Sequence, residues 1–294
     1  MEINEALEKY ILYLVGEKGL SKNTISNYKE DLDLFFLHFD DIKDTSSLDD
    51  SLLEEYAIYQ GERGLTSSSI ARRLSSLKNF FLFLDKEKIA NINISRLDLP
   101  KKQRKLPEVL STEEISSLLS SIDTSKKEGS RDLAMLLTMY SSGLRVSELL
   151  DLKIEDISFS KRIILVRSGK GNKQRSVPIS QDCLDVILNY IDTSRKEFPN
   201  SKKSPYLFLN KFGNPMSRNY FFVLVKEYAA LAGINKNIHP HTLRHSFATS
   251  LLENGINIVA LKDMLGHSHL ETTQIYTKVS TKKAFKDYSS TFDK

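Results

Sequence analysis

The sequence holds one cysteine, Cys183, among its 294 residues. A single thiol excludes an internal disulfide framework and a cysteine-rich zinc site. No run of eighteen uninterrupted apolar residues is present, so no membrane span or membrane insertion is expected. The N-terminal MEINEALEKY is acidic and amphipathic. It lacks the basic start and apolar core of a secretory signal. These absences point to the reducing cytoplasm. Internal repeats and low-complexity tracts are missing too.

There is little net charge either: 42 Lys and Arg against 38 Asp and Glu give +4. The distribution is uneven. Residues 1–95 carry 11 basic and 17 acidic residues, a net −6, whereas residues 96–294 carry 31 and 21, a net +10. A polyanion site belongs to the second part. Ordinary surface charge would account for +10 over that length equally well, so the positions of the charges must decide.

The hydrophobic content of 40% supports ordinary cores, and 294 residues favour two domains over one. Residues 1–95 read as a helical domain. Ile25, Tyr28, Leu32, Phe35, Phe36 and Phe39 recur at three- and four-residue steps, as do Ile70, Leu74, Leu77, Phe80, Phe81 and Leu84. Gly19 and Gly64 fall where helix stops are expected. The acidic, polar stretch 40–51 reads as a loop. Four helices in a small bundle result. Arg72, Arg73 and Lys78 of the last helix are candidate contacts to a phosphate backbone; a solvated face is the plain alternative.

Residues 96–107, RLDLPKKQRKLP, mark the clearest boundary. Two prolines bracket Lys101, Lys102, Arg104 and Lys105 and keep the segment extended. A basic, extended linker is suited to crossing a DNA backbone. The second domain, 108–294, opens on a capping-box pattern, Ser111 to Glu114. An apolar helix over 130–142 ends near Gly143. Strands are expected at 161–167 and 174–179, with GKGN at 169–172 as the turn between them. Helices follow at 180–197, 217–232, 241–254 and 257–265. The fold class is mainly α: a helical bundle, then a mainly α domain with a small antiparallel sheet.

Four segments carry chemistry: SGLRVSELLDLK (142–153), SGKGNKQRSVP (168–178), HPHTLRHSFATSLL (239–252) and LGHSHLETTQIYT (265–277). In this order and spacing they resemble the tyrosine recombinase, or phage integrase, family. Within it, the compact layout is most similar to the bacterial Xer recombinases of the XerD type. The resemblance covers nearly the whole chain: an N-terminal core-binding domain, the linker, and a catalytic domain with a C-terminal tail.

The residues support the same site. Phosphoryl transfer needs an aligned nucleophile, positive charge on the equatorial oxygens and a proton for the leaving oxygen. Arg145 and Arg244 present planar donor forks suited to two non-bridging oxygens. Lys170, between glycines, loses pKa when desolvated near other cations, which suits an acid; the resemblance implies that it protonates the departing 5′ oxygen. His241 lies three positions before Arg244, on one helical face. The resemblance gives it the nucleophile's proton and gives His267 a hydrogen bond to the phosphate or leaving oxygen. Glu148, three residues after Arg145 on the same helical face, supports a neighbouring catalytic group. His239 and His245 read as packing or capping residues. Tyr276 is the candidate nucleophile, singled out from 12 tyrosines by its spacing from His267 and by Thr272, Thr273 and Thr277. A phenol needs a base and a cationic site to attack.

A metal reading fails on the residues. His241 and His245 are four apart, as on zinc-binding helices, but Thr242 stands where a glutamate base would be and Arg244 lies between them. No metal, ATP or other cofactor is expected. The resemblance implies a 3′-phosphotyrosyl intermediate. It also implies a clamp on a double-stranded DNA recombination site, and a homo-oligomer or a heterotetramer with a related XerC-type recombinase. Chromosome-dimer resolution at cell division, control by a septal DNA translocase and a nucleoid-associated cytoplasmic location come with it. The apolar Ala284, Phe285, Tyr288 and Phe292 suggest a tail helix that, by the same resemblance, packs on a neighbouring subunit; docking onto its own domain is the plain alternative. Alternatives are a mobile-element integrase of the same chemistry, a type IB topoisomerase, or a DNA-binding protein without catalysis. The first helix begins almost at Met1, which leaves no room for the arm-binding domain of many integrases.

Overall fold

In a computed structural model of the chain, the residues described are 1–92, 108–167, 174–266, 288, 291 and 292. The chain divides into two compact units, Met1–Lys105 and Leu106–Lys294. Among the described residues no helix is long and apolar enough to cross a membrane.

The first unit is built on α1 (Ile3–Gly16), α2 (Lys22–His38), α3 (Ser51–Glu62) and α4 (Ser67–Lys86). Ser21 and Thr66 start α2 and α4 by accepting the backbone N–H groups of Thr24 and Ser69, the usual role of a hydroxyl N-cap. The loop at 40–51 contains one 3-10 turn, Thr45–Ser47, begun by the Asp44 carboxylate accepting from Ser46 N–H. The apolar stripes of α2 and α4 face each other. Phe35, Leu77, Phe80, Phe81 and Leu84 are fully buried, and Phe80 and Phe83 each lie 5.2 Å from Tyr10 of α1.

The second unit opens with α5 (Thr112–Ser120), whose Ser111–Glu114 capping box is complete. Next, α6 (Lys127–Ser142) forms the centre of the core, with Ala134, Met135, Leu136 and Met139 fully buried. It ends at Gly143, which adopts the left-handed conformation with φ 59°. A short helix, α7 (Val146–Leu150), follows. The sheet is antiparallel, in the order β1 (Ile157–Ser158), β2 (Ile163–Val166), β3 (Arg175–Pro178), with Ile164 opposite Val177 and Val166 opposite Arg175. The turn expected at 169–172 lies outside the described residues.

The helix expected over 180–197 ends early. α8 covers Gln181–Asp192, Thr193 leaves helical geometry, and Ser194–Glu197 form a 3-10 turn. The cause is Arg195, buried and donating to the carbonyls of Ser201, Ser204, Tyr206 and Leu207. α9 (Arg218–Leu231), α10 (Pro240–Glu253) and α11 (Ile258–Leu265) complete the unit. Pro240 at the first position of α10 fits there because that N–H has no intrahelical partner.

A satellite core of Phe247, Leu251, Leu261, Met264 and Leu265 receives Tyr288. Tyr288 is fully buried, donates to the Ser141 carbonyl at 2.7 Å and stacks with Phe292. Of the two expectations for the tail, these residues take the docking onto their own unit. The two aromatic rings find apolar cover in their own unit, between α6 and α10.

Gly143 tests this arrangement. A Cβ there would lie 2.3 Å from the Phe247 ring, at a φ that disfavours any L side chain. Gly143→Ala is expected to destabilise the protein by at least about 2 kcal/mol, from backbone strain plus overpacking. Urea unfolding checks this; an unchanged midpoint would refute the tight contact.

Candidate active site

The site assembles from four places in the second unit. Arg145 follows the α6 cap in extended conformation (φ −71°, ψ 153°) and forms the N-cap of α7. Glu148, one turn later, reaches back: its Oε2 accepts the Arg145 backbone N–H at 2.7 Å and its Oε1 accepts Arg145 Nη1 at 2.9 Å. This corrects the expectation that the two share a helical face. Arg145 sits at the cap, where its backbone donor needs a carboxylate.

Arg175, the first residue of β3, grips the same carboxylate. Its Nη1 and Nη2 donate to Glu148 Oε1 and Oε2 at 2.8 and 2.7 Å. Arg244 projects from α10, buried, and donates to the Gly143 carbonyl and, at 2.6 Å, to the Leu265 carbonyl. Arg145 Nη2 donates to the Gly266 carbonyl at 2.6 Å, and Arg175 Nε to that of Met264 at 2.8 Å. Three consecutive carbonyls at the end of α11 thus each hold a different arginine. They are available because the last carbonyls of a helix lack intrahelical donors. They attract cations because they form the negative end of the helix dipole. Gly266 ends the helix at φ 64°, and a Cβ there would lie 3.0 Å from Arg175 Nη1.

The charges do not balance. Among the described residues, the charged groups that act on Arg244 include Arg145, Arg175 and the Glu148 carboxylate. Burial first, and Arg145 next, push the Arg244 guanidinium down to about 10, which leaves it protonated at neutral pH. Burial alone would raise Glu148, but hydrogen bonds from Arg175 and from the Arg145 backbone outweigh it and hold the carboxyl at about 2. Among the described residues, three guanidinium charges meet one carboxylate, which suits the site to an added anion, and planar forks suit a phosphate.

His241 lies on the same helix as Arg244, with an open surface. Lost hydration, then His239 and the charges of Arg244, Arg218 and Arg145, hold its imidazole below the usual value. It is a neutral acceptor near pH 7. His239 caps α10, its Nδ1 accepting the Thr242 N–H at 3.3 Å, and stacks on Phe222. Cys183 is buried, and burial pushes its thiol up to about 11.

The structure brings together Arg145, Glu148, His241 and Arg244. Lys170, His267 and Tyr276 lie outside the described residues, as do Lys101, Lys102, Arg104 and Lys105 of the linker. In the first unit, Arg72 and Arg73 are held by neighbours. Arg72 forms a two-pronged pair with the buried Asp31 at 2.7 Å, and Arg73 donates to Gln60 at 2.6 Å. Lys78 is half-buried on α4. Sequence reasoning missed Arg175. A signal was available: strand alternation puts Arg175 on the same side as Val177, which is fully buried. An arginine on a core-facing side requires an acceptor.

Residues 108–283 match the phage integrase family, and residues 7–88 match the N-terminal SAM-like domain of phage integrases. The chain is 38% identical over 290 residues to the tyrosine recombinase XerD of Staphylococcus epidermidis, covering 98% of each. It is also 38% identical to tyrosine recombinase XerD of Staphylococcus aureus, covering 96% of this chain and 97% of that one. A crystal structure of the XerH site-specific recombinase bound to a palindromic difH substrate is 26% identical, with a TM-score of 0.71 over 96% of this chain and 83% of that one. The Tn1549 transposon integrase with circular intermediate DNA shares the fold, at 21% identity and a TM-score of 0.75, covering 92% and 93%.

Glu148 makes a pH-dependent contribution to stability. Its folded value near 2 lies below the ordinary 4.5. The ionised carboxylate therefore stabilises the fold by roughly 3 kcal/mol above pH 4.5, and this is lost as pH falls toward 2. The stability gap between wild type and Glu148→Gln should be widest above pH 4.5 and narrow below it. A gap that does not change with pH would contradict the assignment.

Proposed function

The chain belongs to the phage integrase family, the tyrosine recombinases, and we propose that it cuts and rejoins duplex DNA at specific sites through a 3′-phosphotyrosyl intermediate on Tyr276. One observation carries this reading: Arg145 and Arg244 converge on the end of α11, where among the described residues the Glu148 carboxylate offsets part of the charge they share with Arg175. The sequence places His267 one residue, and Tyr276 ten residues, beyond Gly266.

The reaction follows from the roles these groups can fill. The scissile phosphate lies between the Arg145 and Arg244 forks, which stabilise charge on its non-bridging oxygens. Neutral His241 takes the phenolic proton as Tyr276 Oη attacks phosphorus. The bond from phosphorus to the 5′ oxygen breaks, and Lys170 supplies that oxygen's proton. His267 hydrogen-bonds the phosphate. The phosphotyrosyl ester keeps the energy of the phosphodiester, so a DNA 5′ hydroxyl reseals it without ATP. The arginines supply the positive charge that other phosphoryl-transfer enzymes take from metal ions.

The domain roles extend the proposal. Residues 1–95 form the core-binding domain, 96–107 the basic linker along the backbone, and 108–294 the catalytic domain with its tail. Identity of 38% to XerD proteins across 98% of the chain supports chromosome-dimer resolution at cell division. That role calls for four protomers on two sites, as a homo-oligomer or with a XerC-type partner. Activation by a septal DNA translocase and a nucleoid-associated cytoplasmic location belong to the same proposal.

Covalent capture tests the chemistry. In EDTA, with a nicked duplex carrying a resolution site from its own genome, the protein should give a denaturation-resistant protein–DNA band that Tyr276→Phe lacks. An equal band from Tyr276→Phe would count against the phosphotyrosyl step. In the DNA-free protein the His241 imidazole should titrate below pH 6.5, because burial and its cationic neighbours disfavour the charged form; an NMR midpoint above 6.5 would contradict its role as a neutral proton acceptor.

A further inference from the structure

We infer that Arg175 is a positioning residue for phosphoryl transfer, tying the strand that follows Lys170 both to the helix end that precedes His267 and to the carboxylate that orients Arg145. The inference rests on the phosphoryl-transfer reading above. Each of the three guanidinium nitrogens of Arg175 has a partner: Nε the Met264 carbonyl, Nη1 and Nη2 the two oxygens of Glu148. The side chain is 12% exposed. It therefore works on its neighbours.

Those neighbours decide the site's geometry. Glu148 also holds Arg145 through both backbone and side chain, so the direction of the Arg145 fork depends on where the carboxylate sits. Arg175 fixes that carboxylate in two places at once, which only a planar fork can do. The same guanidinium holds Met264, while Arg244 and Arg145 hold Leu265 and Gly266. Along the chain, Arg175 stands five residues after Lys170, and Met264 three residues before His267. One side chain thus joins the segments that carry four of the groups assigned to the reaction. A displacement of about 1 Å in such a constellation costs on the order of a hundredfold in rate.

A plain structural ion pair would predict something different. It would lower stability when broken but leave the cleavage rate of the folded protein intact. Single-turnover capture at saturating nicked duplex separates the two, with wild type and Tyr276→Phe run alongside. Arg175→Met should slow capture about 30- to 100-fold, with duplex affinity changed less than about threefold. Arg175→Lys, which keeps the charge without the fork, should remain at least about tenfold slow. In a Glu148→Gln background, Arg175→Met should cost less than about threefold, because the residue through which it acts is already altered.

Wild-type capture by Arg175→Lys would overturn the inference. So would Arg175 and Glu148 effects that multiply independently, or a loss of rate matched by the loss of DNA affinity. If Arg175→Met fails to fold, the Lys variant and its cycle with Glu148→Gln decide alone. Wild type that binds the duplex but never captures it would sink the phosphoryl-transfer reading and this inference with it. Wild type that captures while the Arg175 variants match it would sink this inference only.

Discussion

Three arginines from three separate elements meet the end of one short helix, and the second unit is organised around keeping them there. Like charges at about 4 Å repel by about 4 kcal/mol at the effective dielectric of a protein surface. The cluster persists because carbonyls 264–266 and the Glu148 carboxylate accept its hydrogen bonds. These acceptors offset part of the charge, and the positive remainder suits the site to the phosphate proposed for it. A fully neutralised cluster would be a stable core feature with no pull on DNA.

Several features of the fold follow from that constraint. The α6 helix ends at a glycine because Gly143 must turn left-handed under the Phe247 ring and offer its carbonyl to Arg244. The α11 helix ends at a glycine because a side chain at 266 would strike the Arg175 guanidinium. The small sheet delivers Arg175 to Glu148, and α7 exists as one short turn that lets Glu148 reach back to Arg145. Tyr288, hydrogen-bonded to Ser141, packs against Phe247 on the satellite core that also holds Met264 and Leu265.

Much of this was legible in the sequence, for physical reasons. Helices α2 and α4 announce themselves because a stripe of aromatic and aliphatic residues at three- and four-residue steps has one stable use. The α6 and α11 ends were marked by glycine, and α5 by its capping box. What escaped was set by distance in the chain. Five residues are too few for α7 to show a period. The break at Thr193 comes from carbonyls that Arg195 meets only after folding. Arg72 reads as a free surface cation until Asp31, forty-one positions away, is seen to hold it. Arg175 was passed over for the same reason: its carboxylate lies twenty-seven residues upstream. Of the groups proposed to react, the described residues include Arg145, His241 and Arg244, whereas Lys170, His267 and Tyr276 rest on motif spacing.

The role proposed for the arginine cluster is to stay cationic and so neutralise a phosphate. Charge can be removed from the substrate instead of the enzyme. A nicked duplex with a methylphosphonate at the scissile position carries no charge for Arg145 to meet. Arg145→Ala should therefore be inactive on the ordinary phosphodiester but form the covalent complex with the methylphosphonate. If Arg145→Ala stays inactive on both while still binding the duplex, charge neutralisation is not what the cluster provides.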